Sequence, residues 1–154
     1  YTQVRHYQMS NSTSMKIQGL QELKNELKQF APRVQKNILT SSLRAEASNV
    51  QKTAKKLVPK NSGNLKKSIK VKKRRTKNKN SIYFSVGLSF GKTAKNDGWY
   101  GRLVEFGTSK TKAQPFFRPA FDTLKTTGLQ NIQKKMKQNI DKNRYKNNIS
   151  GNVL

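Results

Sequence analysis

Between Ala47 and Asn96 the chain carries 15 basic residues and no acidic one. No fold can neutralise that segment from within, because close like charges repel and an unpaired buried cation is prohibitively costly. Its lysines and arginines must stand at the surface, and its few apolar residues must do the packing. The flanks are milder, with 7 basic and 3 acidic residues before it and 11 and 4 after it. Over all 154 residues the balance is 33 to 7, a net charge of +26. Leu, Ile, Val and Phe number 34, just above the range in which a highly charged chain stays disordered. A chain of this length supports one thin hydrophobic core. Anionic partners, neighbouring subunits, or both are therefore expected.

Several classes drop out. No run approaches the roughly 20 apolar residues of a membrane span, so no membrane partner is expected. The absence of cysteine excludes disulfide scaffolds, thiolate metal sites and thiol nucleophiles. Lys outnumbers Arg 25 to 8 and Asn numbers 15, so base composition of the source genome is an alternative origin for part of the charge.

The pattern predicts an α+β chain: N-terminal helices, an antiparallel β hairpin or small sheet, and a C-terminal helix packed on it. Residues 1–14 are polar and contain the single histidine, His6; they read as an extension or processed remnant. Residues 15–141 read as one domain, and residues 142–154 as a polar tail. Leu20, Leu23, Leu27 and Phe30 fall at helical spacing before Pro32. A second helix is expected from about Arg33 to Leu57, through Val34, Ile38, Ala45, Val50 and Ala54, with Pro59 ending it. Asn61-Ser62-Gly63-Asn64 is a turn by composition. Leu65, Ile69 and Val71 alternate as a strand does, and a basic loop over 72–80 follows. In the clearest strand Ile82, Phe84, Val86, Leu88 and Phe90 share one face, opposite Tyr83, Ser85, Gly87 and Ser89. The segment from Trp99 to Thr108 fits either a helical turn or a strand. The last helix is expected to align Phe121, Leu124, Leu129, Ile132, Met136 and Ile140 on one stripe, with Pro119 and Asp122 in its first turn.

The candidate chemistry is sparse. Gly87-Leu88-Ser89-Phe90-Gly91-Lys92-Thr93 falls short of a phosphate loop, which needs four residues between its glycines, and no helix pattern follows it. The acidic residues are scattered, and no histidine spacing suits a metal, so no catalytic residue, cofactor or metal is expected. Glu105 stands out because it interrupts an apolar run; a structural ion pair with Arg102 or Arg118 is the expected partner. Lys72, Lys73, Arg74, Arg75, Lys77 and Lys79 are the candidate contacts to nucleic-acid phosphates, and a solvated loop is the plainer reading of the same run. Lys predominates over the bidentate Arg, so such contact would be without sequence preference.

Three blocks carry a further signal. They are Ala54-Lys55-Lys56-Leu57-Val58-Pro59-Lys60-Asn61-Ser62-Gly63-Asn64-Leu65-Lys66-Lys67-Ser68-Ile69, then Tyr100-Gly101-Arg102-Leu103-Val104-Glu105-Phe106-Gly107-Thr108, then Ala113-Gln114-Pro115-Phe116-Phe117-Arg118-Pro119-Ala120-Phe121. In this order and spacing the chain resembles the tail-component family of long-tailed bacteriophages, small neck or head–tail joining proteins. Gly101 stands where a small Ala is common in that pattern, and Lys60-Asn61-Ser62 where a Val-x-Thr-like turn is common. The basic loop and both polar tails lie outside it.

The resemblance implies a non-enzymatic virion assembly protein of the neck or tail, present in the host cytoplasm during assembly. It implies work as an oligomeric ring, or within one, beside other neck and tail proteins, with phage DNA passing nonspecifically through the channel. Pro59, Gly63, Leu65, Tyr100, Glu105, Phe106, Gly107, Thr108, Pro115, Phe116, Phe117, Arg118 and Pro119 are its structural or interface positions. Of Phe116 and Phe117, one is expected in the core and one at a subunit contact. The competing functions are a stand-alone basic nucleic-acid-binding module and a small basic inhibitor of an acidic host protein.

Overall fold

Helical periodicity and proline placement set the first two elements, α1 (Leu20–Lys28) and α2 (Pro32–Leu57). Pro32 occupies the first position of α2, where its missing N–H costs nothing. Pro59 restricts Val58 to an extended conformation, and α2 stops at Leu57. The computed structural model describes residues 19–59, 63–78, 81–90 and 98–151, excepting the side chains of 147–151. Residues 1–14, Asn61 and Ser62 of the turn, Lys79, and Gly91 to Thr93 lie outside the described residues.

Gly63, at φ 70°, starts a short helix α3 (Asn64–Ser68) where a strand is expected from the alternation. A left-handed glycine reverses the chain into the helix, and the Ser68 hydroxyl donates to Leu65 O within that single turn. Strand β1 then runs over Ile69–Arg74 and pairs antiparallel with β2 (Tyr83–Leu88). Lys72, Lys73 and Arg74 thus belong to a strand, and the basic loop begins only at Arg75. Pairing satisfies their backbone groups while their side chains stay in water, so charge does not prevent strand formation here.

The hairpin lies along α2. Gln51 Nε2 donates to Ile69 O at the base of β1, and Lys36 lines a cleft with Lys73 at its open end. The 15 residue steps from Lys36 to Gln51 span about 22 Å of helix, matching about 20 Å for a six-residue strand.

The ambiguous segment is helical, α4 (Gly101–Phe106). Helix α5 (Phe117–Thr123) follows, then a π-helical stretch Leu124–Gly128, then α6 (Leu129–Gly151). α6 runs well into the segment expected to be a polar tail; polar composition does not prevent a helix from continuing. The hydroxyls of Thr126 and Thr127 both donate to Thr123 O, competing for the carbonyl on which an α-helical ladder would continue. The π stretch rotates the stripe, so that buried Gly128 replaces Leu129 on the inner face, and Leu129 is exposed.

The core forms two clusters at the ends of α2. Val50, Ala54, Val58, Leu65, Ile69, Phe116 and Ala120 make one; Phe30, Ile38 and Ile140, flanked by Leu23, Leu27 and Val34, make the other. Between them the α2–α6 seam is polar. The buried stripe of α2 steps by four through Ile38, Ser42, Glu46, Val50 and Ala54. Asn139 Nδ2 donates to Ser42 Oγ, and Glu46 accepts from Asn49 and from Asn131 of α6. A Cβ on Gly128 would come to 3.4 Å from Glu46 Oε1.

One expectation tests the rotated stripe. Leu129→Gln should change stability by no more than about 0.5 kcal/mol, as at an ordinary surface position. Thermal unfolding decides it, since a Leu129 in the core would cost several times more.

Candidate functional site

The second and third sequence blocks meet at one corner. Phe116 N–H and Phe117 N–H donate to Glu105 Oε2 at 2.8 and 2.9 Å, and Arg118 N–H donates to Oε1 at 3.0 Å. The first N–H groups of a helix have no partner within it, and a negative charge there is favourable. Glu105 takes three of them at the start of α5, and Pro119, next in line, has none to satisfy. The expected ion pair with Arg102 or Arg118 is not formed: the ion pairs among the described residues are Lys125–Asp122 and Arg144–Glu26. The helix terminus supplies the positive end instead. Asp122 lies past the first turn and pairs with Lys125 at 3.1 Å.

The other motif positions have equally local tasks. Gly107 ends α4 at φ 75°, its N–H donating to Leu103 O. Thr108 Oγ1 accepts from the N–H groups of Lys110 and Thr111, shaping the turn that leads to Pro115. Gln114 N–H donates to Val104 O and ties that turn back to α4. Tyr100 and Val104 pack against the core cluster that contains Leu65. Phe116 is fully buried, while Phe117 is half-buried between Phe116 and Phe121, with ring centroids 4.6 and 6.3 Å away.

Beside this corner lies an apolar surface. Phe106 is 70% exposed, Phe90 67% and Trp99 59%, and Leu103 is also exposed. Phe90 and Phe106, with Leu88, Gly101, Arg102 and Phe117, line a groove of about 300 Å³. Single exposed apolar residues are ordinary, whereas Phe90 and Phe106 stand together on one groove.

At the other end of the hairpin the surface is basic. Directly opposed residues of an antiparallel pair share a face. Lys70, Lys72 and Arg74 therefore stand with Gly87, Ser85 and Tyr83 on the outer face, while Ile69 and Val71 face inward with Leu88 and Val86. Arg74 Nε–H donates to Ser85 Oγ at 2.9 Å. Lys73, Arg74 and Arg75 line a cleft of about 540 Å³ together with Lys36 of α2. Lys77 is exposed.

A family model described as bacteriophage HK97-gp10-like tail component matches residues 21–107. The chain belongs to this family. The match takes in α1 to α4, including Pro59, Gly63, Leu65 and the Tyr100–Gly107 block, and it ends before Pro115–Pro119. Glu105, inside the match, holds the α5 terminus that lies outside it. No curated protein and no solved structure matches the chain. No helix of the described residues is long and apolar enough to cross a membrane.

Two features of this tail component escaped the sequence. Lys36 joins the basic cleft through tertiary packing alone, and no local pattern singles it out from the other lysines. Ser42 and Glu46 are buried although polar; the four-residue step of the α2 stripe is the signal available, and hydrophobicity alone skips it.

Proposed function

We propose that this HK97-gp10-like protein is a non-enzymatic structural component of the phage neck or tail, working as an oligomeric ring or within one. In this reading DNA passes through the ring, and the chain resides in the virion after assembly in the host cytoplasm. The observation that carries it is the family match over residues 21–107. The exposed Phe90, Trp99, Leu103 and Phe106 support it, because apolar area left in water by the monomer is gained back at a subunit contact. Glu105 also fits a structural role, since both its oxygens are engaged by backbone amides.

The test is mass in solution at moderate salt, alone and with neck partners. Assemblies larger than a monomer are expected. A double Trp99→Ser, Phe106→Ser variant should keep its melting temperature and lose assembly, since both side chains are more than half exposed. Monomers under every condition would defeat the ring. The second reading, a stand-alone module contacting phosphates without sequence specificity, is favoured by the basic hairpin, and it requires no ring.

A further inference from the structure

We propose that the cleft between the first turns of α2 and the open end of the β1–β2 hairpin seats the phosphates of duplex DNA. Lys36 stands on one side of it, and Lys73, Arg74 and Arg75 on the other. Four cationic residues from two elements line one concavity of about 540 Å³, with Arg74 at its outer edge beside Ser85. Among the described residues none of them has a carboxylate at ion-pair distance. Cations gathered without counter-charge repel one another, and a bound anion relieves that repulsion.

The donor chemistry suits phosphate. Arg is the minority cation of this chain, yet two adjacent arginines stand here, and the guanidinium fork matches phosphate oxygens in a way that an ammonium does not. Arg74 uses Nε–H on Ser85 and keeps its Nη donors for a ligand. At the rim the Thr76 hydroxyl and Ser81 N–H both donate to Asn78 O. On the outer face Lys70, Lys72 and Arg74 form a row of cations about 6.8 Å apart leading to the cleft. Tyr83 is the one aromatic residue of that face, whereas recognition of single strands stacks successive bases on several aromatics. The backbone of a duplex is therefore the target, and no base readout is involved.

This inference deepens the channel reading and rests on it for the identity of the nucleic acid. The test titrates the full chain with a fluorescent duplex of mixed sequence at several salt concentrations. Each lost phosphate contact flattens the slope of log affinity against log salt by about 0.9. Joint replacement of Lys36, Lys73, Arg74 and Arg75 by Ser should flatten it by about 3.6, and Lys36→Ser alone by about 0.9. Lys112→Ser, in the loop after α4, should leave it unchanged, and all variants should melt with the parent. A Lys36→Ser slope equal to the parent's overturns the cleft. So does tighter binding of single strands that disappears in Tyr83→Ala. Rings that form but bind no duplex overturn the seat and spare the ring; monomers that bind with the expected slopes support the seat and defeat the ring.

Discussion

Replacing Gly107 by alanine is expected to destabilise the fold by about 4 kcal/mol, lowering the melting temperature by roughly 8 to 16 °C. Gly107 sits at φ 75°, ψ −179°, a region that glycine occupies almost alone and that costs other residues about 1–3 kcal/mol. A Cβ there would lie 2.8 Å from Ala113 N and from Thr111 O, and 3.1 Å from Ala113 Cα. These are backbone atoms held by the Thr108–Thr111 turn, so no side chain can swing away, and overpacking adds about 1–3 kcal/mol. Gly101→Ala makes the control. Its Cβ would meet methyl ends of Leu88 at 2.5 Å and Leu65 at 2.7 Å, which can rotate, and its helical backbone is unstrained. Its cost should be about 1 kcal/mol. Calorimetry on both variants gives the comparison, and equal losses would mean that the turn is softer than its hydrogen bonds indicate.

Glu105→Ala is expected to cost about 3 kcal/mol. Hydrogen bonds to a charged group are stronger than neutral ones, and a buried donor left without a partner carries its full desolvation cost of about 1–3 kcal/mol. Phe116 is fully buried, so its N–H has no water to turn to; Arg118 is exposed, and its amide loses less. Glu105→Gln should lie between alanine and the parent, because one oxygen remains and an NH₂ now faces amide donors. The helix-terminus account also differs from an ion pair in what the arginines do. Arg102→Ala and Arg118→Ala should each stay within about 0.5 kcal/mol, since Arg118 contributes through its backbone. A loss in either arginine variant as large as that of Glu105→Ala would restore the ion-pair account.

Much of the architecture was legible where periodicity and proline agree. Pro32 and Pro59 bracket α2, and the alternation from Ile82 to Phe90 locates β2 and the inner face of Val86 and Leu88, although the strand ends at Leu88 and leaves Phe90 exposed. Short elements were harder. Ile69 and Val71 lie in β1 as their alternation indicates, but Leu65 belongs to a single helical turn that four residues cannot distinguish from alternation, and a left-handed Gly63 starts it. Leu129 falls on the inner stripe by hydrophobic spacing and is exposed in the structure, because the π stretch adds a phase shift that such spacing does not encode. Glu105 is expected from its charge to pair with an arginine, and it accepts from three backbone amides instead. Sequence shows which side chains carry opposite charge, and it does not show which backbone amides a helix terminus leaves open.

The corner built on Glu105 bears on where this protein could be divided or exchanged with a relative. The family match stops at Gly107, but the load-sharing does not. Phe116 and Ala120 fill the same cluster as Val50 and Ile69, and Val104 and Glu105 reach forward to hold Gln114 and the start of α5. A segment excised at Gly107 would carry away a carboxylate without its helix and leave a helix without its cap. A functional graft must therefore run at least through Ala120, and the edge of resemblance is not a mechanical edge.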